Sequence, residues 1–430
     1  MSKTYYIESL GCAKNMVDSE AFAFLLEKHG YKWIAAANEA DLVLVNTCSF
    51  LKDSLDELRF ELQEFCADKY SQLWVTGCVM KRGLEQFQQE FAEVDQWIGL
   101  KDFATFEKLL TGAASDVKHP YLERVPVQPG FHAYLRISDG CNNNCSYCTI
   151  PSIRGPLKSV PIEDLVAEAQ SLASDPGRQA QELVIIAQDT CSYGLDLYGE
   201  KALPRLLTAL HEIPEFKWIR VMYMHPDHFD LSWLQLWKSL PKLLPFFEIP
   251  IQHCNDQILT SMGRKKGEEE LETLFATIRS QVPRAVLRTT LMVGYPGETD
   301  AIFDSLLDFV ERVKFDQMGA FRYSQESGTP AAKLPDQVSR AIKQARYSAL
   351  TSLQEEISER RLQRYVGSFL DILVEDEGEI MGEYDAHGRA WFQAPDLETK
   401  TYLPGLLSSS GSFTRLLIYD CDPISLYGGI

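Results

Sequence analysis

The 430-residue sequence has no apolar run long enough to cross a bilayer, and its start, Met1-Ser-Lys-Thr-Tyr-Tyr6, lacks the pattern of a secretion signal. Both absences lead to the expectation of a cytoplasmic chain with no membrane partner. Basic residues are scarce as well: 42 Lys and Arg face 61 Asp and Glu, for a formal net charge of −19. Affinity for nucleic acid draws on Lys and Arg meeting phosphates. The deficit therefore weighs against an RNA substrate and for a basic one, unless a local basic patch overrides it. With 45% hydrophobic and 24% charged residues the composition is that of a globular protein, long enough for two or three domains with their own cores.

Cysteine is neither rare nor dense, at ten residues. Motif-spaced Cys in a chain without an export signal points to metal or redox chemistry, not to a disulfide framework. The motif is Cys141-Asn-Asn-Asn-Cys145-Ser-Tyr-Cys148. Three thiolates at this C-x-x-x-C-x-x-C spacing can gather around one face of an iron–sulfur cube and leave its fourth iron open to a small molecule. Two rival readings exist. A given Cys is often only a small buried hydrophobe. Structural zinc wants four ligands, often two C-x-x-C pairs, and no second pair lies nearby.

Residues 1–80 repeat a strand–helix unit. Thr4 to Leu10, Asp41 to Asn46 and Gln72 to Thr76 read as strands. Helices fall between them, from about Val17 to His29 with Gly30 as C-cap, and from about Leu51 to Tyr70. A β-α-β-α-β pattern predicts parallel strands with right-handed crossovers. Such strands all end on one edge, where open α/β sheets bind ligands. Cys12, Cys48 and Cys78 each stand just past a strand, so they are expected to meet there and hold a second metal group. Three unrelated buried Cys is the alternative. Residues 81–130 read as one more strand (Gln96 to Gly99), a short helix (Phe103 to Leu110) and Gly- and Pro-bearing loop.

From His132 the alternation resumes, with strands expected at Ala133–Ile137, Leu183–Ala187, Trp218–Tyr223, Phe246–Ile249, Val286–Val293 and Gln317–Phe321. Helices are expected between them, such as Pro161 to Ala173 and Thr299 to Val313. Six units suit an open (β/α) barrel with its functional loops at the C-terminal strand ends. The Cys141 loop follows the first strand. Gln188 and Asp189 follow the second, and Gly294 to Gly297 follow the fifth, with glycines that let a ligand approach the backbone. His225, His253 and Cys254 also lie past strand ends but read as core or supporting groups. Cys66 and Cys421 read as structural.

Asp336 to about Arg364 reads as a long charged helix along the barrel edge. Residues 366–430 alternate like short strands, at Gly367–Val374, Ile380–Tyr384, Gly388–Phe392 and Phe413–Tyr419, which suggests a small antiparallel barrel. That segment carries eleven acidic residues against three basic ones. It is either an ordinary solvated surface or a docking face for a basic partner.

Taken together the chain resembles the methylthiotransferase family of radical S-adenosylmethionine (SAM) enzymes. The resemblance rests on Ser9-Leu-Gly-Cys12-Ala-Lys14-Asn15-Met-Val-Asp18-Ser-Glu20, on Cys148-Thr-Ile-Pro-Ser-Ile-Arg154-Gly155 and on Ala394-Pro-Asp396. One departure is Ala13, where related sequences commonly have Pro. The resemblance implies three domains: residues 1–125 with an auxiliary iron–sulfur cluster, a radical SAM domain at 131–364, and a TRAM barrel at 365–430. It further implies two 4Fe-4S clusters, on Cys141, Cys145 and Cys148 and on Cys12, Cys48 and Cys78. SAM would be flanked by Tyr147, Gln188, Asp189, Val293 and Gly294. The branch it is most similar to adds a methylthio group to the β-carbon of an aspartate in small-subunit ribosomal protein S-twelve. An unactivated C–H bond yields to no side-chain base, so a radical from SAM must open it. The partners implied are that basic ribosomal protein, docked on the acidic barrel, and an electron donor such as flavodoxin or ferredoxin, with the enzyme a monomer. A tRNA adenosine methylthiotransferase is the alternative, and a non-catalytic RNA- or zinc-binding module a third reading from another class.

Overall fold

Five parallel strands build the first sheet: β1 (Thr4–Ser9), β2 (Lys32–Trp33), β3 (Leu42–Thr47), β4 (Leu73–Gly77) and β5 (Gln96–Trp97), in the order β2-β1-β3-β4-β5. Every residue of β3 is buried. Successive side chains of a strand point to opposite faces. Leu42 and Leu44 accordingly pack with Phe22, Leu25 and Leu26 of the Ala13–Lys28 helix. Val43 and Val45 pack with Leu58, Leu62 and Phe65 of the Lys52–Ala67 helix on the other side. Cover on both faces is what lets a parallel strand be apolar throughout. The first helix begins at Ala13 and not near Val17, because extended Cys12 serves as its N-cap and the polar Lys14-Asn15 turn hides the helical period.

The computed structural model describes residues 3–67, 72–113, 120–128, 130–381, 384–395, 397–404 and 409–429. Part of the second expected helix, residues 68–70, and Asp396 of the Ala-Pro-Asp segment lie outside them. The chain divides into two compact units, one of residues 1–129, 134–143 and 149–178, the other of residues 130–133, 144–148 and 179–430. The first unit also contains an antiparallel ribbon that follows β6 (His132–Arg136): β7 (Ser138–Asp139) pairs with β8 (Lys158–Ser159).

The six barrel strands fall within one or two residues of expectation. β6, β9 (Glu182–Ile186) and β10 (Trp218–Val221) form one sheet, β10-β9-β6. β11 (Phe246–Glu248), β12 (Val286–Val293) and β13 (Gln317–Arg322) form another, β11-β12-β13. β9 and β10, β11 and β12, and β12 and β13 pair in parallel. A parallel bridge from Ile219 to Leu243 joins β10 to the residues just before β11, which continues the two sheets as an open arc. The long helix, Arg340–Leu362, is capped by the Ser339 hydroxyl, and its Arg346 pairs with Glu298 and Asp300 at the start of the Asp300–Val313 helix.

The C-terminal strands close a barrel: β14 (Phe369–Met381), β15 (Tyr384–Ala390), β16 (Lys400–Leu403), β17 (Phe413–Cys421) and β18 (Ser425–Gly429), in the order β14-β15-β16-β18-β17. Two short strands expected at 367–374 and 380–384 are largely one long irregular strand, since the acidic run after Val374 conceals its alternation. β16 is only four residues and β18 ends in glycines, so neither gave a sequence signal. Their pairing is parallel, while the other four pairs are antiparallel.

Glu182 of β9 joins this barrel to the sheet in the second unit. Its carboxylate accepts from Arg220 Nε at 2.6 Å and from Arg389 Nη1 of β15 at 2.6 Å, and Arg220 also donates to the carbonyls of Trp391 and Gln393. Burial pushes the Glu182 carboxyl up, but the two guanidiniums overcome that and hold it at about 2. Breaking a buried pair from one side strands the other charge, at about 3–5 kcal/mol. Glu182→Gln is expected to lose stability of that order at pH 7 in chemical denaturation. A depressed carboxyl stabilises the fold above its unfolded value of about 4.3 and stops doing so as pH falls to its folded value. The wild-type advantage over Glu182→Gln should therefore shrink between about pH 4.5 and pH 2. An advantage independent of pH in that window would contradict the charge-pair account.

Candidate functional site

β1, β3 and β4 end on one edge, and Cys12, Cys48 and Cys78 follow them directly. Register aligns the turns: Ser9 pairs with Asn46 and Thr47 with Gly77, so Cys48 and Cys78 each stand one residue past an aligned pair. Two glycines are required here. Gly11 has φ +117°, and a Cβ on it would lie 2.9 Å from Cys48 Cβ. Gly77 has φ +98°, and its Cβ would lie 2.5 Å from the Thr47 nitrogen. Buried polar side chains lock the turns. Asn15 Nδ2 donates to the carbonyls of Leu10 and Thr47, at 3.0 and 2.8 Å, and Asn46 Nδ2 donates to Asn15 O and Ser19 Oγ, both at 2.9 Å. Thr47 Oγ1 donates to Thr76 O and accepts from the Val79 N–H.

The three thiols feel one another. Burial pushes the Cys48 thiol up, and Cys12 adds to that. Burial pushes Cys78 up to about 11; the Arg154 guanidinium opposes it, while Cys48 and Cys12 reinforce it. Their spread also bears on the choice of metal. Three thiolates on one zinc at about 2.3 Å would sit roughly 3.8 Å apart. Among the described residues, Asp189, His225 and His228 form the one set of three potential ligand atoms mutually within 4.8 Å, so the cysteine set is wider than that. Three soft thiolates at one sheet edge are the donors that an iron–sulfur cluster takes.

A buried charge network supports these turns, and the sequence reading missed it. On the Ala13–Lys28 helix, Asp18 accepts from Arg136 Nη1 at 2.6 Å and from the Tyr121 hydroxyl at 3.0 Å. Glu20 pairs with Arg124 and Arg178, and Arg124 also pairs with Glu168 at 2.8 Å. Asp139 is paired with Lys101 and Arg154. The available signal was the first half of that helix, where Lys14, Asn15, Asp18, Ser19 and Glu20 are interleaved with apolar residues and are too polar to bury without partners.

The other cysteine set lies on irregular backbone, and each member is half-buried. In the first unit the Cys141 N–H donates to Gly155 O at 3.1 Å, and the Asn143 N–H points at Cys141 Sγ, 3.4 Å away. In the second unit the Cys148 N–H donates to Cys145 O, and the Ser146 N–H donates to Met262 O, both at 3.1 Å. An amide aimed at a sulfur suits a thiolate bound to iron, since such bonds tune clusters. Tyr147 accepts from Arg264 Nη2 at 2.9 Å and packs in an apolar cluster with Met292, one residue before Val293. Two expected contacts, Tyr147 and the β12 end, are thus brought together.

The remaining expected positions are more engaged with protein. Gln188 is half-buried, and Asp189 is buried. The Asp189 carboxylate accepts from the Cys191 N–H at 3.0 Å and from Ser192 Oγ at 2.6 Å, and it meets His228 Nδ1. Burial pushes it up, but the His228 hydrogen bond, the neighbouring His225 and Ser192 hold it at about 2. The Val293 side chain is buried. At Gly294 (φ +73°) a Cβ would lie 2.2 Å from Lys343 Cγ, so the Lys343 stem packs closely against this glycine. His253 and Glu298 face each other in the interior, as supporting groups should. Cys66 packs in the first unit's core, and Cys421 donates to Gln363. No helix among the described residues is long and apolar enough to cross a membrane.

Residues 4–99 match a family model described as Uncharacterized protein family UPF0004, and residues 135–310 match the Radical SAM superfamily. The chain is 38% identical over 434 residues to the ribosomal protein uS12 methylthiotransferase RimO of Thermotoga maritima, covering 99% of each chain. It is 37% identical over 440 residues to the RimO of Clostridioides difficile, covering 99% of this chain and 98% of the other. Among solved structures it is similar to the radical SAM methyltransferase TsrM of Kitasatospora setae, with a TM-score of 0.56 and 14% identity over 77% of each chain. At that identity the likeness is one of fold.

Convergence of the strand-end thiols has a direct check. Mild diamide oxidation of the metal-free chain is expected to link cysteines within the set Cys12, Cys48 and Cys78, read by peptide mapping. Links made mainly through Cys66 or Cys254 would contradict the placement.

Proposed function

The chain belongs to the RimO family of ribosomal protein uS12 methylthiotransferases, and on that premise we propose that it adds a methylthio group to the β-carbon of an aspartate of uS12. The observation that carries this reading is the convergence of Cys12, Cys48 and Cys78 at one sheet edge, beside the radical SAM cysteine loop in sequence order and over the full length of the relatives. Cys141, Cys145 and Cys148 would hold one 4Fe-4S cluster, and Cys12, Cys48 and Cys78 a second. When bound, these clusters and SAM supply a hydrogen-abstracting radical together with the sulfur and methyl that are transferred.

The chain's own residues bind and orient. Tyr147, fixed by Arg264, offers a ring face to adenine at the end of β12, where Val293 and Gly294 close the strand. Asp189 is held ionised at neutral pH, and its negative charge suits the ammonium of the methionine part of SAM, with Gln188 next to it in sequence. Residues 1–125, 131–364 and 365–430 would then be the auxiliary-cluster, radical SAM and TRAM domains. The acidic barrel fits a basic ribosomal protein, whose approach it would steer. A flavodoxin or ferredoxin would serve as reductant, and the enzyme would work as a cytoplasmic monomer.

Mass spectrometry of uS12 and of tRNA nucleosides, from cells with and without the gene, tests the reaction. A methylthio group should vanish from a uS12 aspartate; its loss from a tRNA adenosine instead would refute the substrate. Docking is tested separately. Reversing charge at exposed Asp371, Asp376 and Asp420 to Lys should weaken uS12 binding, most at low salt where the Debye length is long. Unchanged affinity would end the docking proposal.

A further inference from the structure

In the first unit the Ile150–Arg154 helix ends at Gly155, whose carbonyl accepts the Cys141 N–H. The side chain of its last residue reaches the other cysteine set. Arg154 Nη2 lies 3.9 Å from Cys78 Sγ and donates to Asn15 Oδ1, which is itself 3.8 Å from the same sulfur. Nη1 lies 3.2 Å from Asp139 Oδ1 and 3.4 Å from Asp18 Oδ2. The Arg154 side chain is only 2% exposed. Asp18 is held by Arg136 and Tyr121, and Asp139 by Lys101, so the guanidinium has no route away from the sulfur.

We propose that Arg154 is a positioning residue that sets the reduction potential of the iron–sulfur group on Cys12, Cys48 and Cys78. This rests on reading those three cysteines as cluster ligands. Reduction adds one electron, taken from an external reductant, to a group whose thiolates already make it anionic. A guanidinium that never deprotonates, buried beside one of those thiolates, stabilises the added charge and raises the potential. Removing it also leaves Asp18 and Asp139 undercompensated nearby, which pushes the potential the same way. Arg154 further ties the two sets: its neighbour Gly155 fixes the Cys141 backbone while its side chain faces Cys78.

The test is an EPR-monitored titration with dithionite on the full-length reconstituted chain, in which the Cys141 group is recognised by its spectral change on adding SAM. For Arg154→Gln the potential of the SAM-insensitive group should shift negative, and for Arg154→Lys it should shift less. Arg178→Gln cuts another buried ion pair of the same unit, with Glu20, and it should leave that potential unchanged. A wild-type potential in Arg154→Gln, or an equal shift in Arg178→Gln, would overturn the proposal. If Arg154→Gln fails to load iron, the second neutral variant Arg154→Met decides: a negative shift supports the proposal, and a wild-type value overturns it. Cys78→Ala separates the premise, since an unchanged iron content and spectrum there would refute the ligand reading itself.

Discussion

Parallel strands in one sheet end on one edge, and the rest of the cysteine site depends on that constraint. Cys12, Cys48 and Cys78 are separated by 35 and 29 intervening residues, yet each needs only to follow its own strand to reach the others. The constraint has a cost. Turns that bring three cysteines together leave little room, so Gly11 and Gly77 take conformations and spaces that no side chain could share. They also bury backbone groups, which Asn15, Asn46 and Thr47 then satisfy.

In both units several interior carboxylates are held by buried guanidiniums. Glu182 sits between Arg220 and Arg389, Glu20 between Arg124 and Arg178, and Asp18 beside Arg136 and Arg154. Such pairs add little net stability compared with a well-packed apolar core, but they are unforgiving of single losses. They therefore fix position more than they stabilise. At Arg154 this fixing places a permanent positive charge against a sulfur.

Much of this was legible in the sequence. The strands of the first sheet and of the open barrel announce themselves by apolar runs ending at Gly, Cys or polar loops, and the cysteines mark which ends matter. What stayed hidden had physical causes. β16 and β18 are too short or too glycine-rich to show alternation, and the acidic residues after Val374 mask the length of β14. The partners of Asp18 and Glu20 come from residues more than 100 positions away, which no local period can reveal. The close approach of Lys343, from the Arg340–Leu362 helix, to Gly294 was likewise not legible, because it joins residues 49 positions apart.

The central claim is that the chain carries two separate three-cysteine cluster sites. Iron analysis with Mössbauer spectroscopy on the full-length reconstituted chain tests it most directly. Two 4Fe-4S clusters are expected in the wild type, with one lost in the variant whose Cys12, Cys48 and Cys78 are all Ala, and the other lost when Cys141, Cys145 and Cys148 are all Ala. A wild-type chain with a single cluster, or zinc bound at either set, would contradict the account.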